Sequence, residues 1–146
     1  MIGLVSINYE NAPIEIREKF DFSDNQKEEF YKIIKSKRIV EGVMIISTCN
    51  RTEIYFENEK FTGLETKIIH KVLKELVDYK SFFDSLSLFV ETKTSKYVTE
   101  HLFRLVSGLE SMIIGEYQIV DQIKQSFAFA KENDMLSPIL ERMIQK

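Results

Sequence analysis

The segment that most constrains the fold is a short polar stretch between two apolar runs. Residues 43–46 (VMII) and 54–56 (IYF) are each typical of a β-strand, and small or polar residues separate them. So short a separation predicts a tight turn. The turn contains the only cysteine, Cys49, and an arginine two positions later, Arg51. A thiol at this place is held by rigid elements and can still meet solvent, so we interpret the turn as the candidate reactive centre.

Length and composition limit the class of protein. A chain of 146 residues that is 44% hydrophobic suits one domain with a real core. A single cysteine cannot form an internal disulfide, so we expect a reducing compartment, the cytoplasm. No apolar run approaches the roughly 18 residues of a membrane span, so we expect no membrane partner. The net charge of -3 argues against a dedicated nucleic-acid-binding domain, which would usually carry a basic face.

Hydrophobic periodicity and capping residues predict the order β-α-β-β-α-β followed by further helices. Strands are expected at residues 2–8, 42–48, 53–57 and 86–91, and helices at 13–20, 24–36, 61–79, 95–107, 116–133 and from 137 onward. Two such halves most readily make an antiparallel sheet with helices on one face. The predicted fold is therefore a ferredoxin-like α+β sandwich with added C-terminal helices. Because the last predicted helix is still running at Lys146, we expect the natural chain to continue.

Cys49 has two interpretations. A lone cysteine is often a small buried core residue. Alternatively its thiolate is a nucleophile, and Arg51 and the N–H groups of the turn would favour the ionised form. The neighbours Ser47, Thr48 and Asn50 are unsuited to a buried apolar slot. Two classes of function therefore stay open, an enzyme domain that uses covalent thiol catalysis and a ligand-binding or regulatory module with a structural cysteine.

Arg51 and the two histidines are the other candidates. Arg51 is either a surface charge paired with Glu53 or a group that grips a substrate carboxylate. His101 lies at the margin of the buried stripe of its helix. It is either a satisfied structural histidine or a general acid-base or substrate-orienting group. His70 lies off the apolar stripe of its own helix and is expected to be a surface residue.

An unusual loop is expected at residues 108–118, where Gly108 and Gly115 bracket apolar residues before a polar helix start. Gln118 and Gln122 are four apart and share one helix face. They are either solvated surface or a hydrogen-bonding wall for a small polar ligand. No His and Cys residues have metal-ligand spacing and no glycine-rich nucleotide motif occurs, so the sequence predicts neither a metal site nor a nucleotide site.

Three segments together resemble motifs of the glutamyl-tRNA reductase family. They are the turn STCNRTEIY at 47–55, the segment HLFRLVSGLESMIIGEYQI at 101–119 and the segment NYENAPIEIREK at 8–19. They occur in the family's order, and the likeness runs from about residue 2 to the end. The resemblance identifies residues 1–146 as the N-terminal catalytic, glutamyl-tRNA-binding domain. Its final helix, from about 137, would lead into NADPH-binding and dimerisation domains that this chain lacks.

The resemblance implies an enzyme that reduces glutamyl-tRNA with NADPH to glutamate-1-semialdehyde, for tetrapyrrole biosynthesis. Cys49 would attack the aminoacyl ester, release tRNA and leave a glutamyl thioester. His101 matches a histidine on which the family's activity depends. Arg51 would hold the substrate γ-carboxylate, and Glu116 would meet its ammonium group. The positions that line the family's glutamyl pocket match Thr48, Asn50, Arg51, Ser111, Glu116, Tyr117, Gln118 and Gln122.

Two differences from the family pattern matter. Tyr9 stands where many members have histidine, so it is given no catalytic role. The domain that binds NADPH and the domain that forms the homodimer are absent. We therefore expect this chain to form the thioester and slowly hydrolyse glutamyl-tRNA without reducing it. The full-length protein is expected to be a homodimer through its C-terminal domain.

Overall fold

The structure is a computed structural model, and it describes residues 1–58, 65–82, 89–106 and 119–145. These residues form four strands and six helices. The strands are β1 (Ile2–Asn8), β2 (Gly42–Ser47), β3 (Arg51–Glu57) and β4 (Glu91–Thr94). The helices are α1 (Ile14–Lys19), α2 (Asp24–Ser36), α3 (Glu65–Lys80), α4 (Lys96–Val106), α5 (Ile119–Glu132) and α6 (Pro138–Gln145).

The strands form one sheet in the order β2-β3-β1-β4, and each neighbouring pair is antiparallel. The strand β3 lies between β2 and β1, and every one of its residues is buried. The predicted antiparallel sheet of a mixed α and β protein is therefore confirmed. The finer assignment to the ferredoxin-like topology stays a prediction.

Helices cover both faces of this sheet, whereas the predicted sandwich had helices on one face and left the place of the added C-terminal helices open. Side chains alternate between faces along a strand, so Glu53 and Ser47 lie on opposite faces, because Ser47 pairs with Thr52. His101 of α4 contacts Glu53, whereas the N–H of Phe22, next to the start of α2, donates to Ser47 Oγ at 2.9 Å. Coverage on both sides explains why β3 is buried throughout. None of the described helices is both long enough and apolar enough to cross a membrane.

Most predicted boundaries agree with the structure to within a few residues, and one is wrong. The predicted cap of α2 is confirmed, because Ser23 Oγ accepts from the Gln26 N–H while Gln26 Oε1 accepts from the Ser23 N–H. The fourth strand was expected at residues 86–91, on an apolar run, but β4 spans Glu91–Thr94. It is a polar, partly exposed edge strand, which hydrophobic patterning does not detect.

Several predicted features lie outside the described residues. They are the start of the helix at 61, residues 86–88 of the predicted strand, the glycine-bracketed loop at 108–118 and the first residues of the helix at 116. The described parts of those two helices, α3 and α5, bury Ile68, Val72, Leu76, Ile119, Ile123 and Ala130 as the periodicity predicts.

Candidate active site

The turn between β2 and β3 is closed by a threonine. The N–H of Thr48 donates to the Arg51 carbonyl at 2.8 Å. Thr48 Oγ1 accepts from the N–H groups of Asn50 and Arg51 at 3.1 and 3.2 Å. Neither Cys49 nor Asn50 has a positive φ, so the turn does not rely on the glycine-like conformations of many two-residue hairpins. The threonine side chain instead fixes the backbone around the cysteine.

Cys49 occupies the tip of this turn, and its side chain is exposed and carries a free thiol. The interpretation of Cys49 as a small buried core residue is therefore wrong. The thiol opens onto a groove of about 380 Å³ that α1 and the segment before α2 form with the turn. A reactive group in this position is held by two buried strands and remains accessible to a substrate.

Beneath the turn lies a buried polar cluster, which we call the Glu53 cluster. Its members are Ser6, Asn8, Arg51, Glu53, Tyr55 and His101. Glu53 Oε2 accepts from Ser6 Oγ at 2.7 Å and contacts His101 Nε2 at 2.6 Å and Arg51 Nη1 at 3.3 Å. Glu53 Oε1 accepts from the Tyr55 hydroxyl at 2.7 Å, and Asn8 Nδ2 donates to Ser6 Oγ at 2.9 Å. The sheet register creates the cluster, because Ser6 lies opposite Glu53 and Asn8 lies opposite Arg51.

Arg51 belongs to the first position of β3 and is only 1% exposed. The interpretation of this residue as a surface charge is wrong, whereas its suggested pairing with Glu53 is confirmed. Its Cζ also lies 5.6 Å from the centroid of the Tyr9 ring. A buried guanidinium held between an aromatic ring and a carboxylate fixes the base of the turn.

The electrostatics of the cluster favour an ionised Glu53. Burial alone would raise the pKa of this carboxyl, but the hydrogen bond and charge of His101, the charge of Arg51 and the Tyr55 hydroxyl together lower it. An ionised carboxylate only accepts hydrogen bonds, so His101 Nε2 is the donor in their contact. This pairing fixes the orientation of the imidazole ring, as a carboxylate does for many functional histidines.

The two histidines differ as the sequence suggests. His101 is 2% exposed and lies on the buried side of α4 with Val98, Leu102 and Leu105. His70 is exposed on α3, which confirms the expectation of a surface residue. A histidine buried against an ionised carboxylate is a structural partner of that carboxylate.

The remaining predicted site residues divide into two groups. Thr48 and Asn50 lie in the turn with Cys49, and Gln122 lies half-buried on α5, next to the buried Ile123. The other four, Ser111, Glu116, Tyr117 and Gln118, lie outside the described residues. Their predicted place in a glutamyl pocket therefore stays a prediction. Within the part of the chain that the structure describes, no group of three or more His, Cys, Asp and Glu residues is placed to hold a metal ion.

The sequence indicated Glu53 only as a partner of Arg51, not as the centre of a buried cluster, and it did not indicate Ser6 or Tyr55 at all. A signal was present, because polar side chains occupy every second position of β3 at Arg51, Glu53, Tyr55 and Glu57. These residues share one face of the strand, and the other face holds Thr52, Ile54 and Phe56. On a strand buried on both sides, such a polar stripe indicates an internal hydrogen-bond network.

Comparisons with known proteins agree on one family. The family model described as glutamyl-tRNAGlu reductase, N-terminal domain, matches residues 5–146. A glutamyl-tRNA reductase of Halalkalibacterium halodurans is 35% identical over 147 aligned positions, and one of Clostridium novyi is 34% identical over 148. Each alignment covers 99% of this chain but only 31% and 34% of the relative's length.

A solved structure, that of the glutamyl-tRNA reductase from Methanopyrus kandleri, is similar as well. It has a TM-score of 0.72 and 28% sequence identity over 99% of this chain and 31% of that chain. This chain therefore spans about a third of the length of the relatives it matches. With the family model covering nearly all its residues, the chain belongs to the family of glutamyl-tRNA reductase N-terminal domains.

Proposed function

We propose that Cys49 is the nucleophile that takes the glutamyl group from glutamyl-tRNA. The observation that carries this proposal is the exposed free thiol at the tip of a turn that Thr48 closes and buried strands hold. Membership of the glutamyl-tRNA reductase family supplies the substrate class. A thiol is strongly nucleophilic even when only a small fraction is ionised at neutral pH.

The proposed step is an acyl transfer. The thiolate of Cys49 attacks the carbonyl carbon of the aminoacyl ester, so a carbon–sulfur bond forms. The bond from that carbon to the ribose oxygen breaks, and the ribose oxygen takes up a proton as tRNA leaves. An aminoacyl ester is already activated, so the step needs no strong base. Water then hydrolyses the glutamyl thioester slowly, regenerating the thiol and releasing glutamate.

The Glu53 cluster supports this step by positioning. His101 holds Glu53, and Glu53 holds Arg51, whose backbone N–H and carbonyl close the turn. His101 is therefore linked to the turn that carries Cys49 by a series of hydrogen bonds through Glu53 and Arg51. On this basis we assign His101 as a positioning residue for the thiol rather than a proton acceptor from it.

The glutamyl group would lie on the side of the turn that faces α4 and α5. The family resemblance assigns its binding to Thr48, Asn50, Arg51, Ser111, Glu116, Tyr117, Gln118 and Gln122. Gln122 on α5 and His101 on α4 belong to helices that pack against each other. The same resemblance assigns the γ-carboxylate to Arg51, although in this structure its guanidinium is buried and paired with Glu53. Each of these assignments rests on the resemblance.

The residues of this chain do not fit the dinucleotide NADPH. Dinucleotide sites form at the carboxyl ends of parallel strands, beside a glycine-rich loop. All neighbouring strands that the structure describes are antiparallel, and the sequence has no such loop. We therefore derive no reduction step for this chain and propose that NADPH binds the part of the longer relatives that it does not match.

The wider roles follow from the family and are proposals too. The complete enzyme would supply glutamate-1-semialdehyde for tetrapyrrole biosynthesis in the cytoplasm and form a homodimer outside the region matched here. The ferredoxin-like topology of the domain is also a proposal, and the observed strand order is compatible with it.

Alkylation of the native chain tests whether the Cys49 thiol is accessible and whether a glutamyl group binds beside it. We expect iodoacetamide to modify Cys49 in the native chain without prior unfolding, because the thiol is exposed. A non-hydrolysable amide that links glutamate to adenosine should slow this reaction at saturating concentration. Mass spectrometry of the cysteine-containing peptide measures both rates.

The matched control is the corresponding aspartyl amide, which is one methylene shorter and should protect about tenfold less well. Labelling that requires unfolding of the chain would contradict an accessible nucleophile. Equal protection by both amides would contradict a pocket that is built for glutamate.

A further inference from the structure

The groove beside Cys49 has a second wall that the proposed acyl transfer does not use. Its volume is about 380 Å³, and the short helix α1 forms one side of it. That side contributes Ile14, Arg17 and Glu18, while the hairpin contributes Ser47, Thr48 and Cys49. A volume of this size holds a group as large as a nucleotide, which exceeds what a glutamyl side chain needs.

Arg17 is the arginine of this wall, and it has a group that lacks a partner. Its Nε is buried and has no hydrogen-bond partner among the described residues, although the side chain as a whole is only half-buried. Because Nε itself is closed to solvent, a bound acceptor would meet the other nitrogens of this half-buried guanidinium. A guanidinium offers paired donors that match a phosphate or a carboxylate.

The other charged side chains that line the groove are two carboxylates. Glu18 and Asp21 line it and are both exposed to solvent. Lys80 donates to the Asp21 carbonyl, and its Nζ lies 4.2 Å from the centroid of the Phe22 ring, which also lines the groove. Arg17 is thus the cation among the described residues that line the groove, and Lys80, which contacts Asp21 and Phe22, partly offsets the two carboxylates.

The position of the groove decides which part of the substrate it faces. Ser47 lies on the face of the sheet opposite to Glu53, and the groove lies on the Ser47 side. The proposed glutamyl pocket, with His101 and Gln122, lies on the Glu53 side. When Cys49 attacks the ester, the carbonyl carbon bears both the amino acid and the ribose. If the amino acid lies on the Glu53 side, the ribose lies on the Ser47 side, where the groove is.

We infer that Arg17 binds the phosphate that precedes the aminoacylated ribose at the 3′ end of tRNA. This inference rests on the proposed function, because it uses Cys49 as the point of acyl transfer. The groove holds the terminal nucleoside against Ile14 and Phe22, and Arg17 meets the phosphate at its edge. The contact aligns the ester with the thiol and is lost when tRNA departs.

Substitution of Arg17 by Gln tests the inference with one ligand, uncharged tRNA, and one small substrate that lacks RNA. Binding of uncharged tRNA to the chain, measured by fluorescence anisotropy, should weaken about tenfold. The slope of log affinity against log salt should fall in magnitude by about 0.7, as expected for one phosphate contact to a single strand. Acylation of Cys49 by a small glutamate α-aryl ester, which has no RNA, should keep its wild-type rate.

Two further variants control for the charge and for the fold. Arg142→Gln removes an exposed arginine that lines a different groove, and it should leave both readouts unchanged. Arg17→Lys keeps the charge without the paired donors and should recover part of the affinity.

The outcomes separate this inference from the proposed function. Slower acylation by the small ester in Arg17→Gln would overturn it, since Arg17 would then act on the amino acid or on the turn. Unchanged tRNA affinity and salt slope would overturn it as well. Failure of the wild-type chain to react with the ester would instead contradict the role of Cys49, and binding of uncharged tRNA would still report on Arg17.

Discussion

Replacement of Cys49 by serine is expected to lower the rate of glutamyl-tRNA deacylation by this chain roughly a thousandfold or more. A serine hydroxyl is almost wholly protonated at neutral pH, and no base among the described residues is shown in contact with position 49. The rate is measured as the decrease over time in labelled glutamate that precipitates together with tRNA in acid. The variant should also give no covalent glutamyl adduct.

The stability of the same variant is its control. Cys49 is exposed, so Cys49→Ser should change the free energy of unfolding by no more than about 0.5 kcal/mol. The substitution His70→Gln, on the exposed side of α3, should change neither stability nor deacylation. Retention of full deacylation by Cys49→Ser would show that another group is the nucleophile, and the proposed function would then fail.

Substitution of Glu53 by alanine is expected to destabilise the fold by about 3–5 kcal/mol, because it leaves the buried Arg51 without its carboxylate. It also removes the acceptor for Ser6, Tyr55 and His101. Denaturant unfolding followed by circular dichroism measures the loss. Deacylation should decrease too, at temperatures where the variant is still folded, since the base of the turn is no longer fixed.

The other buried carboxylate of β3 provides a matched control. Glu57 lies on the same face four residues later and is equally buried, but neither of its carboxylate oxygens has a hydrogen-bond partner among the described residues. Glu57→Gln should therefore be close to neutral or stabilising. A loss of several kcal/mol in Glu57→Gln, or of less than about 1 kcal/mol in Glu53→Ala, would contradict this account of the cluster.

The pH dependence of stability follows from the same carboxyl. The folded-state pKa of Glu53 lies below its unfolded-state value, so its contribution is fully present above the unfolded-state pKa. It is lost as the pH falls through the folded-state pKa. The difference in unfolding free energy between wild type and Glu53→Ala should accordingly be constant near neutral pH and shrink in acid. A difference that grows on acidification would have the wrong sign.

Much of the fold could be predicted from local signals. The short apolar runs of β1 and β2, and the spacing of four residues between apolar positions in α3 and α5, were sufficient because burial sets both patterns. Ser23 marked the start of α2 through its capping chemistry. The edge strand β4 gave no such signal, because an edge strand that is half exposed does not need apolar side chains.

The candidate site shows a different limit. The sequence indicated Cys49 because small polar residues surround it between two strands, and the structure places it at an exposed turn. It could not show that Arg51 is buried, because burial of a guanidinium depends on partners from β1 and α4 that only the tertiary structure brings to Glu53. The place of Arg17 beside Cys49, on which its proposed role rests, was equally hidden, since only the folded chain brings α1 to the turn.

Mass spectrometry of the chain mixed with glutamyl-tRNA and quenched in acid tests directly whether Cys49 is acylated. We expect one added glutamyl group on the peptide that contains Cys49, which hydroxylamine removes and Cys49→Ser does not form. An adduct on another residue, or deacylation of the tRNA with no adduct at early times, would contradict it.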